Sequence, residues 1–401
     1  MSPEMTLASK YTFLKRMAAI SFAGLFSLSL SGCGWTDSFF GGEDNTLPPT
    51  ELEDINRTVK VHSVWSKDVG VGIDEAFVDL KPAITDSEIF TVDREGQVTS
   101  LSLESGSINW QVELETIITG GVGYGEGILI VGDNRGKLIV LDADNGTLKW
   151  EKELSSVMLS APLVQDDVLI VRTGDGRIFG LNAENGSQIW VYDRGVPVLT
   201  LRGNSSPLIG GRELLFTGFD SGKVAAVGVQ HGRLLWEANA AVPRGRSDLE
   251  RLVDIDGSIT LVGRVLYVAT YQGRIVAIDA LEGEILWAKE MSSYAGISAD
   301  ERHIYVTDSD SNLWAVDRVS GDMLWKQDKL AYRRLTAPVS IGEYVLVGDF
   351  EGYVHIVSRL DGELIGREKI DGDGFHIQPQ AYDETVYIYG NSGTLAALRI
   401  N

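Results

Sequence analysis

Residues 136–150 read GKLIVLDADNGTLKW: a glycine, a β-rich apolar run, an acidic turn, a second glycine and, four residues on, a tryptophan. The phrase returns as GQVTSLSLESGSINW ending at Trp110, GRIFGLNAENGSQIW at Trp190, GKVAAVGVQHGRLLW at Trp236 and GRIVAIDALEGEILW at Trp287. Two copies depart from it. SNLWAVDRVSGDMLW, ending at Trp325, has Ser311 for the first glycine, and GYVHIVSRLDGELIG has Gly366 in the tryptophan slot. Spacings of roughly 40 to 50 residues fit four-stranded propeller blades and not the shorter leucine-rich or ankyrin units. Each position has a mechanical job. Gly136 lies in a turn where positive φ is cheap only for glycine, Lys137–Asp142 is strand-forming, and Asp142–Gly146 has hairpin-turn chemistry. Trp150 falls on the outermost strand, where a large ring docks between neighbouring blades. Upstream of each phrase come a short strand, often opened by Ala161-Pro162, Ser206-Pro207 or Ala337-Pro338, and a second apolar run such as Val168–Arg172.

The expectation is an all-β chain, an eight-bladed β-propeller with tryptophan-docking repeats. Residues 58–401 divide into eight units of about 43 residues. The last copy, Gly393–Asn401, stops after its third strand, while Val59–Val69, carrying Trp65, is a strand without a blade. That N-terminal strand is expected to complete the last blade and close the ring, which leaves only short edges. A seven-bladed ring is the alternative, and the orphan strand argues against it.

Outward from the repeat, the first residues set the compartment. Lys10, Lys15 and Arg16 precede an apolar run, Met17–Leu30, that is too short for the roughly 20 residues of a spanning helix and has the form of a signal-peptide core. Leu30-Ser31-Gly32-Cys33 follows and resembles the bacterial lipobox, whose cysteine is lipidated. Cys33 is the only cysteine of 401 residues, so an exported chain keeps it for a reason other than pairing. The expected organisation is a lipoprotein signal peptide over 1–32, a lipidated acidic flexible tether over 33–57 and the propeller over 58–401. Gly34, where the lipobox proteins it resembles carry Asp for retention at the inner membrane, implies an outer-membrane location facing the periplasm. The formal net charge is −22, and removing 1–32 takes three cations against Glu4 alone. Nucleic acid and anionic headgroups are therefore poor partners, and the lipid must supply the membrane hold.

A search for chemistry finds little. His62, His231, His303, His355 and His376 are scattered and form no His-Glu-x-x-His pair. There is no Gly-x-Ser-x-Gly elbow and no P-loop, and the glycines of Gly121–Gly127 miss dinucleotide spacing and read as a loose linker into the next blade. Asp308-Ser-Asp-Ser-Asn312 begins like a calcium loop but has Leu313 for the required glycine and Val319 for the bidentate glutamate. Asp371–Gly374 reads as a plain turn. No metal and no cofactor are expected.

The phrase Leu-Asp-Ala-x-x-Gly-x-x-x-Trp resembles the repeat of quinoprotein dehydrogenases and equally that of non-enzymatic outer-membrane assembly propellers. Leu199-Thr-Leu-Arg-Gly-Asn-Ser-Ser-Pro207 and Asp248-Leu-Glu-Arg-Leu-Val-Asp-Ile-Asp256 are similar to the BamB family, over essentially the whole mature chain and including the lipobox. That resemblance implies a non-catalytic scaffold of the β-barrel assembly (BAM) complex, which binds a POTRA domain of BamA, assists folding and insertion of outer-membrane proteins and meets unfolded clients. It implies Leu199, Leu201 and Arg202 as one contact motif and Asp254 and Asp256 as a second. The dehydrogenases typically show a vicinal cysteine pair at the cofactor, which this chain lacks, so no enzyme is expected. The alternative is a periplasmic propeller holding a small ligand or cell-envelope sugar in its central channel.

The residues themselves point to the same stretches. Two of the longest connections between blades, Trp190 to Pro207 and Trp236 to about Ser258, flank one blade and emerge on one face, where binding is usually placed. Leu199 and Leu201 alternate with Thr200 between Arg194 and Arg202. Ser247 and Glu250 have capping-box spacing, and Asp254 and Asp256 share a side if extended. Apolar anchors beside charges of both signs suit a protein interface; two ordinary insertions with solvated charges are the competing reading.

Overall fold

In the computed structural model, residues 47–401 are described apart from 74, 75, 77, 196–204, 212 and 243–252. Every element among the described residues is a strand, and they form eight four-stranded antiparallel sheets. Of the first unit, Met1–Pro48, only Leu47 and Pro48 are described, both exposed; the blades belong to the unit Pro49–Asn401.

One blade explains the rest. Its strands are Ile118–Gly125, Ile128–Asp133, Lys137–Asp142 and Leu148–Glu153. The two middle strands carry β-branched and leucine side chains on both faces and are buried throughout their centres, as a strand between two neighbouring sheets must be. The fourth strand alternates between solvent and the next blade. Asp133 Oδ1 accepts from the backbone N–H of Arg135 and of Lys137, 2.8 and 2.7 Å, and so closes the turn before the third strand. Asp93, Asp308 and Asp349 do the same in their blades. First strands of neighbouring blades lie side by side around the centre. The glycine-rich run 121–127 is a correction to the expected loose linker: Gly121, Gly123 and Gly125 lie in a first strand, where a Cβ would collide with the backbone of Asp79, the backbone of Pro162 and the side chain of Val164 respectively.

Blades are joined by tryptophan. Seven indole N–H groups donate to a backbone carbonyl in the next blade at 2.9–3.1 Å: Trp65 to Leu103, Trp110 to Ala143, Trp150 to Ala183, Trp190 to Val229, Trp236 to Ala280, Trp287 to Arg318 and Trp325 to Arg359. Each ring also covers the turn glycine three residues further on, from Gly106 to Gly362, where a Cβ would lie 2.5–2.8 Å from the ring. Those glycines have φ of +64 to +78°. Conformation and contact therefore both demand glycine.

The ring closes as expected. Val61–Asp68 pairs antiparallel with Thr394–Ile400, from Val61 opposite Ile400 to Asp68 opposite Thr394, and Lys60 and Asn401 exchange backbone hydrogen bonds of 2.9 and 3.0 Å. Gly366 now has a cause. The last blade has no hairpin between its third and fourth strands, so it offers no turn carbonyl and glycine to an indole. Val59, on its way into the closing strand, covers Gly366 instead. Part of the stretch expected as a tether is held to the blades: Thr50 N–H donates to Ala331 O at 3.0 Å, and Glu53 O accepts from Arg367 Nη1 at 3.1 Å.

Trp190→Ala should cost about 3–5 kcal/mol, and Gly232→Ala, beneath the same ring, about 1–3 kcal/mol. Deleting 58–69 opens the last blade and should be as damaging as the tryptophan loss. Urea denaturation followed by circular dichroism measures all three; a deletion that unfolds at the full-length midpoint refutes the closure.

Candidate functional site

Strand order fixes which loops share a face. Connections from a fourth strand to the next first strand emerge beside the turns between second and third strands; the remaining turns lie on the opposite face. The two long connections, after Asp193 and after Asn239, therefore share one face and flank the blade built from Leu208–Gly210, Leu214–Gly218, Lys223–Gly228 and Leu234–Asn239. Leu199, Leu201 and Arg202 lie outside the described residues, as do Ser247, Glu250 and Cys33.

Asp254 and Asp256 are described, and they are placed differently from each other. Asp254 is fully buried and Asp256 half-buried. The backbone bridges to the next blade, with Tyr271 N–H donating to Asp254 O at 2.9 Å. Val253 and Ile255 are buried over Gly222 and Gly218, which leave room for them. Alternation then sends Asp254 and Asp256 to the other side, within hydrogen-bonding reach of each other.

They meet Arg172, the last residue of the second strand Val168–Arg172. Its guanidinium is buried, donates through Nη1 to Ser205 O at 2.9 Å and through Nη2 to Asp220 Oδ1 at 3.1 Å, and lies 5.6 Å from the Phe219 ring. Arg194, paired with Glu237, lies 5.3 Å from the same ring. One buried cation thus touches the base of the first connection through Ser205, the intervening blade through Asp220, and the acid pair of the second connection through its field.

Three carboxylates around one guanidinium cannot all ionise cheaply. Burial, then Asp256 and Asp220, push Asp254 up to about 8. Asp256 is pushed up to about 6, chiefly by burial, while the proton held on Asp254 and the charge of Arg172 pull it down and Asp220 pushes it up. Burial lowers Arg172, against the three carboxylates. Asp254 Oδ2, Asp256 Oδ1, Arg172 Nε and Ser205 Oγ are buried without a hydrogen-bond partner among the described residues. A proton on Asp254 gives the two carboxyls a hydrogen bond.

Arg172 and the Phe219-Asp220 turn escaped the sequence reading, although the repeat marks them. The residues at the repeat position before the turn residue are Val92, Gly132, Arg172, Gly218, Ala269, Thr307, Gly348 and Tyr389, and Arg172 is the single charge among them. Phe219 stands where Asp93, Asp133, Asp308 and Asp349 close their turns.

Elsewhere the candidate chemistry is spent on structure. Asp308 accepts from the backbone of Asp310 and Asn312 through Oδ1 and from Asn312 and Trp314 through Oδ2. Asp371 Oδ1 accepts from Asp373 N–H at 2.8 Å, as a turn does. Among the described residues no group of three or more His, Cys, Asp or Glu could hold a metal ion.

The family model described as outer membrane protein assembly factor BamB matches residues 64–327. The outer membrane protein assembly factor BamB of Pseudomonas aeruginosa is 48% identical over 378 residues, covering 94% of this chain and 98% of that one. The crystal structure of BamB from Moraxella catarrhalis superposes with a TM-score of 0.78 at 30% identity, over 85% of this chain and all of that one. The quinohemoprotein alcohol dehydrogenase of Comamonas testosteroni, at 13% identity, TM-score 0.68, 84% of this chain and 76% of its own, shares the fold alone.

The acid cluster gives a pH signature. Between the ordinary aspartate value of 3.8 and about 8 the folded chain holds a proton on Asp254 that the unfolded chain has released, so stability falls as pH rises through that window. The melting temperature should drop by several degrees from pH 5.5 to 8.5, and Asp254→Asn, which cannot ionise, should flatten the drop. A variant with the original slope would show that Asp254 is not the group responsible.

Proposed function

This chain belongs to the family of the outer membrane protein assembly factor BamB, and on that premise we propose that it is a non-catalytic scaffold lipoprotein of the BAM complex that docks a POTRA domain of BamA on the face carrying its two long connections. One observation supports this placement above the others: buried Arg172 donates to Ser205, at the base of the first connection, and to Asp220 of the intervening blade, and its charge acts on Asp254 and Asp256 at the base of the second. Connection bases held on one frame lose less entropy on docking than free segments would.

Within the patch, Leu199 and Leu201 are the apolar anchors and Arg202 the orienting charge. Asp256, half-buried, is the carboxylate a partner cation reaches, and Asp254, fully buried, holds the loop beneath it. Unfolded outer-membrane protein clients are further partners in this reading. The hold on the outer membrane is a lipid on Cys33, with the propeller in the periplasm.

Co-purification from detergent-solubilised envelopes tests the partner. Leu201→Ala, Arg202→Ala and Asp256→Ala together should cost about 2 kcal/mol or more of binding and release BamA while the melting temperature holds. Asp144→Ala, in a turn of the opposite face, is the control. Undiminished BamA recovery with the triple change sinks the site. For the anchor, Cys33→Ser should abolish acyl labelling; labelling that persists refutes it.

A further inference from the structure

The last strand-to-strand joint of the ring lacks a tryptophan, and what covers it is built with more care than a linker needs. Residues 50–59 run the height of the seventh blade along its outer strand, Leu364–Lys369. At one end Thr50 N–H donates to Ala331 O, and Arg333 Nη1 donates back to Thr50 O at 3.0 Å. In the middle Arg367 Nη1 donates to Glu53 O at 3.1 Å. At the other end Thr58 and Val59 both donate to Ile365 O, at 3.0 and 3.4 Å. Leu52 and Ile55 pack beside Trp325, Leu330 and Leu335.

The two arginines are not independent. Arg333 Nε donates to Asp349 Oδ2 at 2.8 Å, the same oxygen meets His355 Nε2 at 2.9 Å, and His355 Nδ1 accepts from Arg367 Nε at 3.3 Å. Arg333, Asp349 and His355 are all buried. Only a neutral imidazole protonated on Nε2 donates to the carboxylate and accepts from Arg367 at once. Nothing in the repeat requires this: the positions equivalent to His355 are Thr99, Ile139, Phe179, Ala225, Val276, Trp314 and Ala396, and none of them titrates.

We infer that residues 50–59 are a strap and that the Arg333–Asp349–His355–Arg367 chain is its clasp, which fixes where the chain toward the N-terminus leaves the propeller. Thr50 lies beside Ala331, in a connection from a fourth to a first strand, and Arg333 also pairs with Glu351 in a second-to-third turn. Both belong to the face of the two long connections. The clasp recognises the strap by its backbone carbonyls, so it fixes a path and leaves the strap's polar side chains unspecified. Released, the strap would move the exit to the opposite end of the blade, at Val61, and add ten residues of roughly 3.3 Å each to whatever precedes it. Resting on the docking reading above, the consequence is that the chain preceding Thr50 leaves from the face on which the partner is proposed to dock.

Hydrogen exchange resolved to single amides, on the purified full-length protein, tests the clasp without reference to lipid or partner. Thr50 and Thr58 should both be protected. Leu52→Asp combined with Ile55→Asp, changes confined to the strap, should speed exchange of Thr50 at least tenfold and leave the amides of Tyr353–Ser358 as they were. Arg367→Ala should do the same to Thr50, and the strap pair stands as the test should that variant fail to fold. A Thr50 amide that exchanges like an unfolded peptide, or one that stays protected in the double variant, overturns the inference. Undiminished BamA recovery with the Leu201, Arg202 and Asp256 changes combined would remove the consequence for docking and leave the strap untouched.

Discussion

An indole that donates one hydrogen bond to the neighbouring blade and covers its turn glycine is the joint on which the ring depends. Each sheet alone would expose two apolar faces, and a four-stranded sheet cannot bury both by itself. The ring supplies each with a neighbour, and the tryptophan fixes the angle at which neighbours meet. The hydrogen bond contributes modestly, about 1 kcal/mol net; most of the joint comes from burying the ring. Its geometry is unforgiving because the partner position is a left-handed glycine with no space for a Cβ. The joints act in a closed series, so a fault in one loads the others.

That regularity is why the fold was legible. Tryptophan and glycine recur at fixed offsets because the joint needs both, and Trp65 with the tryptophan-free last copy announced the shared blade. The glycines of 121–125 were misread for a physical reason as well. A first strand is crowded by neighbouring backbones, and glycine there records close approach and not flexibility. The expected limit of the tether ran past Thr50 because a strap held through carbonyls by distant arginines has no periodicity of its own.

The candidate site was half legible. Connection lengths pointed to one face and one blade, and the spacing of Asp254 and Asp256 correctly placed both on one side of an extended segment. What spacing could not show was depth. Asp254 is buried because Val253 and Ile255 on the other side find the space over Gly222 and Gly218, a property of the neighbouring blade and not of the loop. Arg172 was hidden by its setting in an apolar strand, where only comparison of blade with blade exposes it.

A propeller of eight equal joints would have no preferred side and nothing to distinguish one blade from the next. Its asymmetry must come from positions where the repeat rule is broken at a cost. Two such breaks stand out among the described residues: Arg172 with Phe219 and Asp220 beneath the long connections, and Gly366 with Arg333, Asp349 and His355 beneath the strap. Each buries charge, which a stability-driven repeat would avoid, since a buried ion pair rarely outdoes the apolar residues it displaces. Each also uses that charge to hold a segment of chain lacking regular structure against a rigid strand. Ser205 and Thr50, the points at which the two segments are held, lie on the same face. The repeat therefore supplies a rigid frame, and the departures from it supply the buried charges that hold Ser205 and Thr50 against that frame.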